Sequence, residues 1–157
     1  MNIEQTASTA AEKMGGVCMV IPCLQPNEKF LKLLQNLRQS QRAPLAIVVV
    51  DDGSGEAYAP VFERAKAEYG CTVLTHAVNL GKGRALKTAF NYILAALPGC
   101  SGAVTADADG QHAPEDVFAC IQALEQAPKA LCWEAGILTA AEFPFTTGPA
   151  TKLPAWC

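Results

Sequence analysis

The sequence lacks a long apolar run and an excess of positive charge. Its 157 residues contain no stretch of the roughly 18 consecutive apolar residues that a membrane-spanning helix needs. The formal net charge is −3, which argues against non-specific nucleic-acid binding, because such binding depends on clustered Lys and Arg. We therefore expect a cytoplasmic protein with no nucleic-acid partner and no transmembrane segment in this chain. Peripheral attachment to a membrane stays open.

The motifs of several common function classes are also missing. Seven cysteines are scattered without CxxC or Cys/His spacing, which predicts reduced, buried side chains and disfavours a zinc site. There is no GxxxxGK[ST] run, and no GxGxxG run follows the first predicted strand. A P-loop nucleoside triphosphatase and a dinucleotide-binding dehydrogenase are therefore disfavoured.

What is present is an alternation of short apolar runs and amphipathic segments. Buried strands are predicted at 17–21, 45–50, 71–75 and 102–106, and helices at 28–41, 56–69, 83–97 and 114–126. This order predicts an α/β fold, with a mostly parallel sheet that helices cover on both faces. By the same pattern we divide the chain into a flexible leader (1–16), a folded region (17–129) and an irregular tail (130–157).

Acidic residues follow two of the predicted strands. Asp51 and Asp52 follow the second strand, and Asp107 and Asp109 follow the fourth. Ligands of parallel sheets bind beyond the carboxyl ends of the strands, and crowded carboxylates repel one another unless they share a cation. Mg²⁺ or Mn²⁺ is the expected cation, with Gln111 as a further oxygen ligand on the same side of an extended segment as Asp109. The alternative is that these residues only form turns.

A glycine-rich segment, NLGKGR at 79–84, precedes the third predicted helix. Its glycines permit tight backbone geometry, and a helix N-terminus offers free N–H groups to an anion. With the positive charge of Lys82 and Arg84 beside the acidic residues, the segment predicts a phosphate-bearing ligand. The alternative is an ordinary loop with solvated basic residues.

Of the two histidines, His76 is predicted to be structural, and His112 is a candidate contact for a phosphate or a metal-bound water.

Four short motifs occur in a fixed order along the chain. They are VIP at 20–22 with NE at 27–28, VVDDGS at 49–54, NLGKG at 79–83, and DADGQH at 107–112 with PED at 114–116. Together they resemble family 2 glycosyltransferases of the GT-A fold, particularly the dolichyl- or polyprenyl-phosphate mannosyltransferase-like branch. The resemblance implies the nucleotide-binding half of a GT-A (Rossmann-like) domain. It also implies a UDP- or GDP-sugar donor and an acceptor that is a hydroxyl, as on a glycan, or a lipid phosphate such as polyprenyl phosphate.

The resemblance assigns roles to individual residues. Those matching its nucleotide-sugar contacts are Pro22, Glu28, Val50, Asp52, Lys82, Asp107 and Ala108, and those matching its metal ligands are Asp109 and Gln111. The metal, Mg²⁺ or Mn²⁺, would neutralise charge on the leaving nucleoside diphosphate as the glycosidic bond breaks. The catalytic base is not identified in this chain.

The family pattern stops near residue 130. Back-translation of residues 131–157, read one nucleotide back, allows Leu-Gly-Gly-Arg-Asp-Phe-Asp, then Ile-Pro-Phe-His-Asn-Arg, then Gly-Asn-Lys. The family is expected to carry such a continuation, so we predict a frameshift near 129–131 that truncates the family sequence. A second hypothesis follows, in which the chain is a catalytically inactive fragment that at most binds nucleotide and metal. A third, a receiver-like regulatory domain, is disfavoured because Pro22 occupies the place of its acidic pair.

Overall fold

A computed structural model describes residues 16–40, 43–110, 114–126, 131–133 and 136–138. The elements are β1 (Gly16–Cys23), α1 (Glu28–Gln39), β2 (Ala46–Asp51), α2 (Ala59–Tyr69), β3 (Thr72–Thr75), α3 (Lys82–Ala96), β4 (Cys100–Thr105), α4 (Pro114–Gln126), β5 (Leu131–Trp133) and β6 (Gly136–Leu138). A short 3₁₀ turn, Glu56–Tyr58, leads into α2. The predicted alternation of four strands and four helices is confirmed, with element ends shifted by a few residues.

The strands form one sheet in the order β3-β2-β1-β4-β5-β6. All neighbouring pairs are parallel except β5 and β6, which are antiparallel. The predicted α/β class with a mostly parallel sheet is therefore confirmed. Because β1 to β4 run in the same direction, the turns that follow them meet at one border of the sheet. We call this border, formed by residues 24–27, 52–55, 76–81 and 106–110, the carboxyl edge.

Helices cover both faces of the sheet, as predicted. Alternate residues of β1 point to opposite faces, as the period of two along a strand requires. Met19 and Ile21 pack under α1, α2 and α4, where Phe30 and Leu34 are fully buried. Val20 packs on the other face against α3. Each such side chain contributes roughly 1.5–3 kcal/mol by leaving water, so the core holds β1 firmly at the centre of the sheet.

Local signals in the sequence account for one helix end near the carboxyl edge and one at the opposite border. Asn27 begins α1, and its side-chain oxygen accepts a hydrogen bond of 2.9 Å from the backbone N–H of Lys29, as an N-cap residue does. Gly70 ends α2 in the left-handed conformation that favours glycine. The α3 helix begins after Gly81, and a glycine has no side chain that could cap the first N–H groups.

Two short strands lie where the sequence pattern predicts an irregular tail. The β5 and β6 strands have three residues each, which is too few for a periodic pattern to be recognised. The prediction of irregular structure from residue 130 is wrong for these strands. Gly16 belongs to β1 rather than to the leader, and the rest of the leader and of the tail lies outside the described residues. No helix in the described part of the chain is long and apolar enough to cross a bilayer.

Candidate functional site

The turns after β1 and β2 are joined by hydrogen bonds. The carboxylate of Asp51 accepts a bond of 2.9 Å from the backbone N–H of Ser54, which tightens the turn after β2. The Ser54 hydroxyl oxygen accepts a bond of 2.8 Å from the backbone N–H of Gln25. The backbone N–H of Asp52 donates to the carbonyl of Cys23 at 2.8 Å. These bonds fix the direction in which the Asp52 side chain leaves the sheet.

Gly53 brings the loop after β3 onto the turn after β2. Its φ of +77° lies in the left-handed region, and a Cβ at this position would collide with the backbone of Val78 and Asn79. Only glycine avoids both the strain and the collision. In the sequence DDGS, Asp52 therefore provides an acidic side chain, and Gly53 leaves room for the backbone of the next loop to pack against the turn.

Asp52 holds the glycine-rich loop by its carboxylate. Oδ1 accepts a bond of 2.9 Å from the N–H of Leu80, and Oδ2 accepts a bond of 2.8 Å from the N–H of Gly81. The Nδ1 atom of His76 lies 2.7 Å from Oδ1. Burial acts to raise the pKa of Asp52, but the Leu80 amide, His76 and the Gly81 amide outweigh it and hold the pKa below its ordinary value. Asp52 is therefore an anion within the fold.

The anionic Asp52 stands at the N-terminus of α3. Gly81 is the residue that precedes this helix, and the first turn contains Lys82 and Arg84 but no acidic residue. Positive side chains at a helix N-terminus oppose the helix dipole, whereas a carboxylate there stabilises it. Asp52 thus places a negative charge beside this helix end by accepting from the N–H groups of Leu80 and Gly81, the two residues before the helix, while Lys82 and Arg84 add positive charge there.

Lys82 connects this helix end to the turn after β4. Its Nζ lies 2.8 Å from Oδ1 and 3.0 Å from Oδ2 of Asp107. Both side chains are partly exposed, at 44% and 31%. A continuous series of contacts therefore runs from Asp52 through Leu80 and Gly81 to Lys82 and Asp107. We call these five residues the lip, and they bring together three of the predicted site residues.

The other predicted site residues occupy the same border of the sheet in different ways. Pro22 and Val50 are partners in the parallel register of β1 and β2, and the Val50 side chain is fully buried, so only its backbone borders the carboxyl edge. Glu28 is exposed at the first position of α1. Ala108 packs against the core beneath α1 and α4, and Asp109 is exposed in the turn after β4.

Of the two predicted metal ligands, the structure describes Asp109 but not Gln111. Gln111 and His112 lie outside the described residues. Among the residues that are described, no three His, Cys, Asp or Glu side chains gather as a metal-binding group. Mg²⁺ is commonly held by one or two carboxylates together with substrate phosphates. The exposed Asp109 fits a shared site of that kind.

His76 was predicted to be structural, and the structure places it in a buried network. Besides its contact with Asp52, its Nε2 lies 2.9 Å from the hydroxyl oxygen of Thr88. The strand register accounts for the first partner: Asp51 and Thr75 are opposite each other in β2 and β3, so the next residues, Asp52 and His76, are neighbours too. Nothing in the sequence indicates Thr88, which approaches from α3.

The fold and the lip define a Rossmann-like α/β domain whose acidic and glycine-rich turns share one border of the sheet. The model of the family "Glycosyl transferase family 2" matches residues 18–137, and the chain therefore belongs to the family 2 glycosyltransferases. Over 101 residues it is 37% identical to the uncharacterized protein MJ1222 of Methanocaldococcus jannaschii. That match covers 64% of this chain and 38% of the relative, so the chain corresponds to well under half of that protein.

Proposed function

We propose that this chain carries the donor-binding part of a metal-dependent glycosyltransferase. The donor is a UDP- or GDP-linked sugar, and the acceptor is a hydroxyl or a lipid phosphate. The observation that carries the proposal is the series of contacts in the lip. It places a carboxylate, a loop of backbone N–H groups and a lysine at one border of the sheet, in a chain that belongs to family 2.

Each part of the lip has a separate task in donor binding. Asp52 borders the nucleoside and holds the loop at 79–81 in place. Lys82 and the N-terminus of α3 supply positive charge and N–H groups towards the diphosphate. Asp107 orients Lys82 and faces the ribose or the metal. Pro22 and Glu28 line the nucleoside side of the same border.

The divalent cation, Mg²⁺ or Mn²⁺, is proposed to be held by Asp109 and Gln111 together with the donor phosphates. When bound, it neutralises charge on the departing nucleoside diphosphate. The exposed position of Asp109 supports this arrangement, because the side chain is accessible to a ligand that arrives with the donor. Within the polyprenyl-phosphate mannosyltransferase-like branch, the acceptor would be a lipid phosphate, and the protein would act at a membrane surface.

Titration calorimetry with UDP and with GDP, each with and without Mn²⁺, tests donor binding. We expect one of the two nucleotides to bind, and to bind more tightly with Mn²⁺. Failure of both to bind to the folded protein would refute the proposal. Release of sugar from the matching nucleotide sugar is then measured with polyprenyl phosphate or a glycan as the acceptor. Turnover excludes the inactive fragment, whereas binding without turnover supports it.

A further inference from the structure

His76 forms a partly buried relay, a bridge of two hydrogen bonds, between Asp52 and Thr88. Its two ring nitrogens lie 2.7 Å from the Asp52 carboxylate and 2.9 Å from the Thr88 hydroxyl. The side chains of His76 and Asp52 are only 10% and 6% exposed. Both ring nitrogens are thus engaged, and neither is left to form a hydrogen bond with a ligand. Any influence of His76 on the donor must pass through its neighbours.

The chemistry of the partners sets the direction of the relay. A carboxylate only accepts hydrogen bonds, so Nδ1 carries the proton that faces Asp52. In the neutral ring, Nε2 then accepts from the Thr88 hydroxyl, which selects one tautomer. Oδ1 of Asp52 also accepts from Leu80. The ring therefore determines how the carboxylate is rotated, and with it the position of Oδ2.

The rotation of the Asp52 carboxylate sets the position of the glycine-rich loop. With Oδ1 shared by His76 and Leu80, Oδ2 faces the N–H of Gly81 at 2.8 Å. The next residue is Lys82, which reaches Asp107. We propose that His76, oriented by Thr88, is a positioning residue for the donor loop and raises the affinity for a nucleoside diphosphate by holding Asp52 in one orientation. This inference rests on the proposed function.

Three substitutions separate the halves of the relay. In His76→Asn the amide nitrogen can take the place of Nδ1 and keep the bond to Asp52. In His76→Gln the side-chain amide instead reaches the place of Nε2, where its oxygen can accept from Thr88, and the bond to Asp52 is lost. Thr88→Val removes the hydroxyl with little change of shape. Ala89→Gly is the control, because Ala89 is buried in the same helix and its loss weakens α3 without touching the relay.

Two readouts are compared for every variant, together with the melting temperature. Calorimetry gives the Kd of UDP and GDP with Mn²⁺, and hydrogen exchange gives the protection of the Leu80 and Gly81 amides. We expect His76→Gln to raise the Kd about tenfold and to lose the protection of both amides. Thr88→Val should raise the Kd about threefold, and His76→Asn should recover most of the affinity. Ala89→Gly should lower the melting temperature and leave the Kd unchanged.

The outcomes distinguish the inference from the proposed function. If His76→Gln and Thr88→Val bind nucleotide as the wild type does, the positioning role is refuted while donor binding stands. It is also refuted if affinity falls only in step with the melting temperature, as Ala89→Gly would then show too. If the wild type binds neither nucleotide, but His76→Gln still loses amide protection, the proposed function fails and the control of the loop by His76 is supported.

Discussion

Lys82 and Asp107 connect the start of α3 to the turn after β4, with Nζ 2.8 Å from Oδ1. The pair joins residues that are 25 positions apart in the chain. Because both side chains are partly exposed, the pair contributes little to stability. Its value lies in keeping a positive charge above the border of the sheet where the donor phosphates are proposed to bind.

Lys82→Met tests this role of the lysine. We expect the melting temperature to fall by no more than about 4 °C, since an exposed ion pair is worth at most about 1 kcal/mol. The Kd of the bound nucleoside diphosphate should rise about tenfold at low salt, with a smaller increase at high salt because the ions screen the charge. Lys87→Met removes the same charge from an exposed position on the same helix and should leave the Kd nearly unchanged. Equal effects of the two substitutions would contradict a specific role.

Asp109→Asn tests the proposed metal ligand. The side chain is exposed, so the change in stability without metal should be within about 0.5 kcal/mol. Calorimetry should no longer show tighter nucleotide binding on addition of Mn²⁺. Asp116→Asn, at an exposed position in the first turn of α4, is the matched control and should keep the response to Mn²⁺. A large fall in the melting temperature of Asp109→Asn would instead mean that this carboxylate is structural.

Asp52→Asn should destabilise the protein in a pH-dependent way. The loss at neutral pH is expected to be about 1–3 kcal/mol, because an amide cannot accept from all three donors. The pKa of Asp52 in the folded protein is below its ordinary value of 3.8. Its contribution is therefore fully present above that value and is lost as the pH falls through the lower, folded-state pKa. Urea unfolding at pH 5 and pH 3 should show a smaller difference from wild type at pH 3. An equal difference at both pH values would contradict the ionic role.

Gly53→Ala and Gly55→Ala separate backbone strain from collision. Both glycines have positive φ, at +77° and +89°, but a Cβ at Gly55 meets open space while one at Gly53 meets the loop backbone. We expect Gly55→Ala to lower the free energy of unfolding by about 1 kcal/mol and Gly53→Ala to lower it by more than about 2 kcal/mol. Chemical denaturation measures both. Similar losses would show that the loop moves aside easily.

The predicted frameshift is tested at the level of the gene. Sequencing the coding DNA across codons 125–157, and translating it one nucleotide back, should yield the glycosyltransferase-like continuation set out from the degenerate codons. The adjoining DNA should continue in that frame. A shifted frame that holds stop codons, or no such continuation, would end this hypothesis.

The alternation of elements could be predicted from the sequence because each strand of the central sheet is an unbroken apolar run. Val17 to Ile21 and Ile47 to Val50 are buried on both faces, which is typical of a parallel sheet. Helix ends were predictable where a residue type has a local reason to be there, as at Asn27 and Gly70. The β5 and β6 strands could not be predicted, because three residues carry no periodicity.

The site was predictable as a set of residues but not as a set of contacts. The acidic turns and the glycine-rich loop could be assigned to one border, since parallel strands end together. Which oxygen of Asp52 holds which amide, and that Lys82 pairs with Asp107, depend on the packing of α3 against the sheet. Val50 illustrates the limit: the sequence places it near the end of β2, but that its side chain points into the core is known only from the structure.

The strand order has a consequence for how the protein matures during translation. The central strand β1 is made first; β2 then pairs with it, β3 pairs with β2, and β4 pairs with the other side of β1. Every contact of the lip lies within residues 52–107. The lip can therefore assemble as soon as β4 and its turn leave the ribosome. A change of reading frame near residues 129–131 would not alter any residue of the lip, because all of them are encoded before that point.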